Sequence, residues 1–361
     1  MRLLSKALSK AEKKLKLKIK LKEKLQHIIQ ELNIQLQDEC LLTEAASGAY
    51  ACTPVLGALA GAEVHAFARD SKYGSARECI KEVQSLAELC GVSDRIHFHT
   101  EKNEMPWERA TVITNSGALR PLDSAVLERV SASCRIPLMF EAWEFRAQDL
   151  DLDFCKLKGI RVAGTNERHP QTDVFGYLGD LVVRLIQDAK QTPYRNKFIV
   201  VSNNDFTPYL CKPLVSMSAA VGVYCPLEYK SEIENLGATY LGDWNSTEIP
   251  NDWKSTSAVI YTGSPFSENL WGNFPLLNFH VWKSLNSPLL LRFAGDVSEA
   301  DLVQHEINFH PEQVPAGHMG ILPSAIGWDP IIRLQAGSLK VAQLMKTNEV
   351  NYNNEVLAQY L

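Results

Sequence analysis

The pattern of hydrophobic and polar positions along this chain changes repeatedly between two periods, and it predicts an α/β protein. Short apolar runs, such as residues 41–45, 63–68 and 160–165, indicate buried strands. Between such runs lie amphipathic stretches, as over residues 76–89, whose apolar residues recur every three or four positions in the manner of helices. Because strands and helices alternate at this spacing, we expect mostly parallel, doubly wound sheets.

The segment over residues 149–190 divides the chain into two such lobes. A short helix ends at Lys158 and Gly159, a strand follows, and a polar loop leads to Pro170, which can open an amphipathic helix. The predicted parts are a basic helical extension over 1–38, a first α/β lobe over 39–170, a connecting helix over 171–195, a second Rossmann-like lobe over 196–345 and a C-terminal helix over 346–361. Two lobes joined in this way predict a ligand-binding cleft between them.

Composition places the chain among ordinary globular proteins. Its 361 residues are 45% hydrophobic and 22% charged, which suffices for two separate cores. No apolar run reaches the ~18–20 residues that a membrane-spanning helix needs. The eight cysteines are scattered and no signal sequence is recognisable, so we expect reduced thiols and a cytoplasmic location.

The charge is unevenly distributed. Residues 1–24 carry ten Lys and Arg against two Glu, which leaves the rest of the chain acidic. This basic segment either lies on acidic lipid or nucleic acid, or is a solvated helix, a helix pair or an arm that forms a homodimer. Its apolar stripe changes phase between Leu15 and Leu21, so we expect the fold to form without it. The acidic body argues against a nucleic-acid partner.

The turn after the first predicted strand is a candidate nucleotide site. Ser47 and Gly48 can direct backbone N–H groups to an anion, and Asp70 follows the second strand, where a ribose-binding carboxylate is expected. The alternative is a turn that only closes a packed α/β unit. Over about seventy residues the lobe also resembles a class I methyltransferase core, most closely at residues 86–100, and Asp70 matches the residue that holds the ribose of S-adenosylmethionine there. The glycine-rich loop of that family is reduced here to Gly48.

A second resemblance covers residues 135–345. The segments KLKGIRVAG (156–164), SAVIYTGSPFSENLWG (257–272), SPLLLRFAGDVSEADLV (287–303) and PAGHMG (315–320) are similar to segments of the formate/glycerate dehydrogenase group. That group includes D-2-hydroxyacid dehydrogenases, with adenosylhomocysteine hydrolase as a relative. The resemblance implies an oxidoreductase that uses NAD or NADP and acts on a small polar molecule.

The same resemblance assigns candidate catalytic and cofactor residues. It implies that His318 is the acid/base, with Arg292 near the position of the catalytic arginine and Glu306 as a possible orienting carboxylate. The cofactor-binding residues would be Asn203, Asn204, Asp205 and Thr262. The loop over 202–207 contains no glycine, however, and side chains there obstruct the approach of a pyrophosphate. One alternative is a binding protein that kept the scaffold, in which His318 only caps nearby backbone. Another is a protein that uses its first lobe as a methyltransferase does.

The predicted substrate loops are strongly polar. Glu141 and Glu144 flank Trp143, and this combination favours a cationic or hydroxyl-bearing ligand over an anionic acid. Asn166, Arg168 and His169 form a polar loop that either binds the ligand or caps the following helix.

A metal site is not expected from the sequence. His97 and His99 alternate on a predicted strand and therefore share one face. No partner that would complete a coordination sphere is evident near them, so we predict that the chain binds no metal.

Overall fold

The computed structural model describes residues 19–269, 277–286, 288–347 and 356–361. The chain divides into two compact units: unit 1 extends to Val174 and resumes at Gly327, and unit 2 is Phe175–Ile326. Among the described residues, no helix combines the length and the apolar character that crossing a membrane requires. The cleft between the lobes and the homodimer remain predictions.

The strands and helices follow the predicted alternation. The strands are β1 (Cys40–Glu44), β2 (Glu63–Phe67), β3 (Ile96–His99), β4 (Val112–Ile113), β5 (Arg135–Pro137), β6 (Arg161–Thr165), β7 (Lys197–Ser202), β8 (Ala220–Tyr224), β9 (Thr239–Gly242), β10 (Ala258–Thr262), β11 (Leu289–Ala294), β12 (Phe309–His310) and β13 (Ala358–Tyr360). The helices are α1 (19–31), α2 (Cys52–Leu59), α3 (Ala76–Cys90), α4 (Ser124–Glu128), α5 (Leu152–Lys158), α6 (Leu178–Asp188), α7 (Thr207–Ser216), α8 (Lys230–Asn235), α9 (Phe279–Lys283), α10 (Glu299–Gln304) and α11 (Asp329–Leu344).

Each unit contains one twisted sheet of the doubly wound type. The sheet of unit 1 has the order β3-β2-β1-β4-β5-β6-β13, and the sheet of unit 2 has the order β9-β8-β7-β10-β11-β12. Neighbouring strands are parallel, except that β13 runs antiparallel to β6. In both sheets the strand order reverses beside the first strand, between β1 and β4 and between β7 and β10. The prediction of two Rossmann-like sheets is therefore confirmed.

Both faces of each sheet are covered. In β1, Leu41 packs into one hydrophobic core of unit 1 and Leu42 into the other, as the alternation of side chains along a strand requires. In unit 2, Val200 and Val201 of β7 divide in the same way between its two cores. Parallel strands with both faces buried give the continuous apolar runs seen in the sequence.

The N-terminal prediction needs correction. Leu25, Ile28 and Leu32 of α1 are buried in the same core as Leu41, so the residues before 38 are not wholly an extension. The apolar stripe that begins at Leu21 is the face of a helix that belongs to unit 1. Residues 1–18, which carry the other predicted stripe, lie outside the described residues.

Two further elements differ from the predicted boundaries. Helix α11, predicted to complete the second lobe, packs in unit 1, where Ser338 Oγ lies 2.8 Å from Thr165 Oγ1 and Gln335 Oε1 accepts a hydrogen bond from Thr53. The chain end forms strand β13 instead of the predicted C-terminal helix, because it pairs with the free edge of β6. Residues 348–355 of that predicted helix lie outside the described residues.

The connecting helix is shorter than predicted. It spans Leu178–Asp188 and belongs to unit 2, preceded by a 3-10 turn over Phe175–Tyr177. Pro170 therefore does not open it. The polar residues before it close their own turn, in which Thr172 donates its hydroxyl to the Asn166 carbonyl over 2.8 Å.

Candidate functional site

In doubly wound sheets, ligands bind outside the carboxyl ends of the strands where the strand order reverses. In unit 1 that place lies beyond Glu44 of β1 and beyond the residues that follow β4. In unit 2 it lies beyond Ser202 of β7 and Thr262 of β10. Each unit therefore has one edge at which a ligand is expected.

The carboxylate of Glu44 occupies the reversal point of unit 1. It accepts a hydrogen bond from the backbone N–H of Ala118 over 2.8 Å. A Cβ on Gly117 would lie 2.0 Å from Glu44 Oε2, so a larger residue there would displace the Glu44 carboxylate. Beside it, Asn115 is fully buried, and its side-chain N–H₂ group has no hydrogen-bond partner among the described residues.

Glu44 is one of three glutamates with raised pKa values that surround Tyr50. Burial raises the pKa of Glu44, and burial together with the charge of Glu141 raises the pKa of Glu144 to about 7. Burial and the charges of Glu144 and Glu141 also raise the pKa of Glu167. Burial and the charges of Glu44, Glu167 and Glu144 raise the pKa of Tyr50 to about 12. We call Glu44, Glu144, Glu167 and Tyr50 the carboxylate cluster.

Glu141 has a different role from its neighbour Glu144. It is fully buried, and it accepts hydrogen bonds from the Arg168 guanidinium, from the indole N–H of Trp143 and from the backbone N–H of Glu167. Its carboxylate is thus held in an ion pair with Arg168. Of the predicted substrate residues, Glu144 is the half-buried carboxyl, whereas Glu141, Arg168 and Trp143 hold the loops of the cluster together.

Asn166 and His169 also support the loops. Asn166 is buried, donates to the carbonyls of Val356 and Leu357, and accepts a hydrogen bond from the backbone N–H of Arg168. His169 Nδ1 accepts a hydrogen bond from the backbone N–H of Gln171 over 3.2 Å. These residues therefore close their own turn over residues 166–172, and their role in ligand binding stays a prediction.

The first turn of unit 1 is closed by its own side chains. Ser47 donates its hydroxyl to the carbonyl of Tyr73 over 3.2 Å, and Gly48 has a φ of +62°, which suits glycine. The carboxylate of Asp70 accepts a hydrogen bond from the backbone N–H of Ala76, at the start of α3. The structure therefore brings these loops together but uses Asp70 as a helix cap.

In unit 2, two asparagine side chains fill the reversal point. Asn203 forms two hydrogen bonds with the backbone of Ser264: its Nδ2 donates to the carbonyl over 2.7 Å, and its Oδ1 accepts from the N–H over 2.8 Å. Asn204 Nδ2 donates to Thr262 Oγ1 over 3.2 Å, and its Oδ1 accepts the N–H of Phe206. The next residue, Asp205, is half-buried.

His318 lies at the same edge of unit 2. Its turn is held at the carboxyl end of β11, because Gly317 donates its N–H to the Asp296 carboxylate over 3.0 Å and Gly320 donates to the carbonyl of Phe293. The other two residues predicted to act with it do not join it. Arg292 is buried and pairs with Glu299 over 3.0 Å, and Glu306 is exposed before β12, at the opposite edge of the sheet.

The sequence analysis missed three members of the carboxylate cluster. Glu44 ends a strand, and Tyr50 follows a turn in which only the serine and the glycine were singled out. Glu167 lies in the polar loop over residues 166–169, in which only its neighbours were singled out. The available signal was positional: Glu44 ends β1, Tyr50 lies in the turn after it and Glu167 comes shortly after β6, and the carboxyl ends of these strands meet at one edge.

Comparison with known proteins gives a clear result only at the level of structure. No family model matches the sequence, and no curated protein is similar to it by sequence. A dipicolinate synthase component from Bacillus halodurans matches with a TM-score of 0.57 at 11% identity, over 86% of this chain and 99% of that one. The corresponding dipicolinate synthase chain from Bacillus subtilis matches with a TM-score of 0.59 at 12% identity, over 88% of this chain and 100% of that one. The pyruvate reductase of Chlamydomonas reinhardtii matches with a TM-score of 0.51 at 12% identity, over 88% of this chain and 99% of that one.

The chain has a dehydrogenase-type fold. The α/β fold expected from the resemblance of the four segments is thus confirmed by these three structures. The comparisons do not support the S-adenosylmethionine alternative.

A dehydrogenase-type fold implies a dinucleotide at the reversal point of unit 2, and the residues there do not fit one. The N–H groups of Asn204 and Phe206 are already satisfied by Ser202 Oγ and Asn204 Oδ1, so they are not available to a pyrophosphate. Asn203 bridges the two strands where the pyrophosphate would lie. After β8, buried Cys225 stands in place of a ribose-binding carboxylate.

Proposed function

We propose that this chain is an enzyme on a dehydrogenase-type scaffold that binds a small cationic or hydroxyl-bearing substrate at the carboxylate cluster of unit 1. Glu144 would serve there as the general acid or base. One observation supports the proposal: the pKa of Glu144 is raised to about 7 in a half-buried group at the edge of a doubly wound sheet where a ligand is expected.

A carboxyl group with a pKa near 7 suits proton transfer at neutral pH. Both its protonated and its ionised forms are populated there, so it can donate or accept a proton without a large energetic cost. Glu141, which pairs with Arg168, contributes to the raised pKa of Glu144, because the negative charge of Glu141 disfavours ionisation of its neighbour. The phenol of Tyr50 is a second hydrogen-bonding group facing the same carboxyls.

The charge of the cluster indicates the class of substrate. Burial disfavours the ionised forms of Glu44, Glu144 and Glu167, the charge of Glu144 further disfavours that of Glu167, and an anionic hydroxy acid would add another negative charge. A cation would relieve that repulsion, and a hydroxyl group would accept hydrogen bonds from the protonated carboxyls. The buried N–H₂ group of Asn115 offers a further donor at this edge.

An oxidoreductase linked to NAD or NADP is the second candidate. It is supported by the shared fold and by the position of His318 at the carboxyl edge of unit 2. It ranks second because Asn203 and Asn204 fill the place of the dinucleotide. We therefore assign no catalytic step to a cofactor in this chain.

Thermal shift of the full chain separates the two candidates. The probes are small amines, amino alcohols and polyols, with D-lactate, NAD, NADP and S-adenosylmethionine measured alongside. A ligand at about 100 times its Kd should add about 2.7 kcal/mol of stability. We expect stabilisation by an amine or amino alcohol that is lost in Glu144→Gln and kept in Glu88→Gln, an exposed control on α3. Stabilisation by NAD or NADP, unchanged in Glu144→Gln, would refute the proposal in favour of the second candidate.

A further inference from the structure

Three histidines and a glutamate meet on one face of β2 and β3, at the edge of the sheet of unit 1. The two strands are parallel neighbours, and their register places His65 beside His97. Because side chains alternate along a strand, Glu63 and His65 share a face with His97 and His99. The partners that the sequence analysis did not find for His97 and His99 therefore come from the adjacent strand.

The donor atoms of this group are close to a coordination geometry. His65 Nε2 lies 3.0 Å and His97 Nε2 lies 4.0 Å from Glu63 Oε1. One ligand atom from each of Glu63, His65 and His97 lies within 4.8 Å of the others. Four ligands held tetrahedrally at about 2.1 Å from a zinc ion are about 3.4 Å apart, so small side-chain movements would close the site.

The surroundings of these three residues also suit a metal ion. His65 Nδ1 lies 2.9 Å from His99 Nε2, so with an ion on its Nε2 the His65 ring can donate its remaining N–H to His99. Glu63 Oε2 accepts a hydrogen bond from Arg109 over 2.6 Å, which leaves Oε1 to face the histidines. The His97 side chain is 49% exposed, and this opening leaves room for a water molecule as a fourth ligand.

We propose that Glu63, His65 and His97 bind one zinc ion, with water as the fourth ligand and His99 as the hydrogen-bond partner of His65. Imidazole and carboxylate are ligands that zinc accepts, and this arrangement needs no thiolate. Glu63 begins β2 and His65 is its middle residue, whereas the carboxylate cluster lies at or beyond the carboxyl ends of the strands. The ion would therefore not take part in the proposed acid–base chemistry. It would join edge strand β3 to β2 and stabilise that edge.

Calorimetric titration of the full chain with zinc chloride, after treatment with a chelator, tests this proposal. We expect one ion per chain and a higher melting temperature in its presence. His97→Ala should weaken binding by more than about tenfold, as the loss of a ligand requires. Since His97 is half exposed, this variant should fold; His27→Ala, which removes another exposed histidine with a glutamate neighbour, should bind as the wild type does.

Three results would overturn the assignment. The first is wild-type protein that takes up no zinc at micromolar concentration, and the second is wild-type protein that binds zinc no more tightly than His97→Ala does. The third comes from cobalt as a spectroscopic substitute. A thiolate-to-cobalt charge-transfer band would show that cysteines hold the ion, whereas the proposed site predicts visible bands without one.

Discussion

Removing the guanidinium group of Arg168 should destabilise the fold through Glu141. The Glu141 side chain has a relative accessibility of 0%, whereas the Arg168 side chain is 33% exposed. In Arg168→Met the apolar part of the side chain is kept and the charge is lost. The buried Glu141 carboxylate would then remain without its cationic partner, and an uncompensated buried charge is strongly destabilising.

The size of the effect follows from what remains around Glu141. Removing one member of a buried pair costs about 3–5 kcal/mol. Here Arg168 is partly solvated, and Glu141 keeps its hydrogen bonds from Trp143 and from the backbone of Glu167. We therefore expect a loss of about 2–3 kcal/mol, which lowers the melting temperature by about 4–12 °C for a domain of this size.

A double-mutant cycle measures the coupling directly. In a Glu141→Gln background no buried charge is left uncompensated, so Arg168→Met should cost less than about 1 kcal/mol there. Arg129→Met, which removes an exposed pair with Glu108, is the matched control and should cost little in either background. Denaturant unfolding gives all the free energies. An equal cost of Arg168→Met with and without Glu141 would refute the reasoning.

Three further substitutions test other parts of the structure. Asn203→Ala removes both hydrogen bonds to Ser264 and should lower the unfolding free energy by about 1–3 kcal/mol in denaturant titrations; no loss would show that this bridge is not formed. Asn166→Ala removes the side-chain hydrogen bond to Val356 and should speed deuterium exchange of the β13 amides, whereas unchanged exchange would contradict its role as a clamp. Leu25→Ala should lower the unfolding free energy by about 2–5 kcal/mol, and an unchanged free energy would show that α1 does not pack in the core of unit 1.

Local patterns in the sequence were enough to predict the sheets and most helices. The apolar runs of β1, β2 and β6 and the amphipathic stripe of α3 each lie within one short segment, where periodicity is informative. The placement of α11 and β13 was not predictable in this way. Both reach unit 1 only because the chain returns there after unit 2, and no local pattern records that return.

The same distinction applies to the candidate sites. Glu141 and Glu144 stood out because two carboxyls flank an aromatic residue, but their different roles depend on Arg168, 27 positions from Glu141. His97 and His99 were recognised as sharing a face, whereas Glu63 and His65 join them only through the pairing of β2 with β3. Strand register and loop convergence arise from the whole fold, so spacing along the sequence does not reveal such partners.

The ionisation of Glu144 is the property on which the proposed function depends most. Carbon-13 NMR of the labelled glutamate carboxyls, assigned by comparison with Glu144→Gln, follows that ionisation directly in the full chain. The proposal predicts a titration midpoint for Glu144 at a pKa of about 7. A midpoint near the ordinary glutamate value of about 4.3 would contradict it, because the group would then be fully ionised at neutral pH and could not act as the acid.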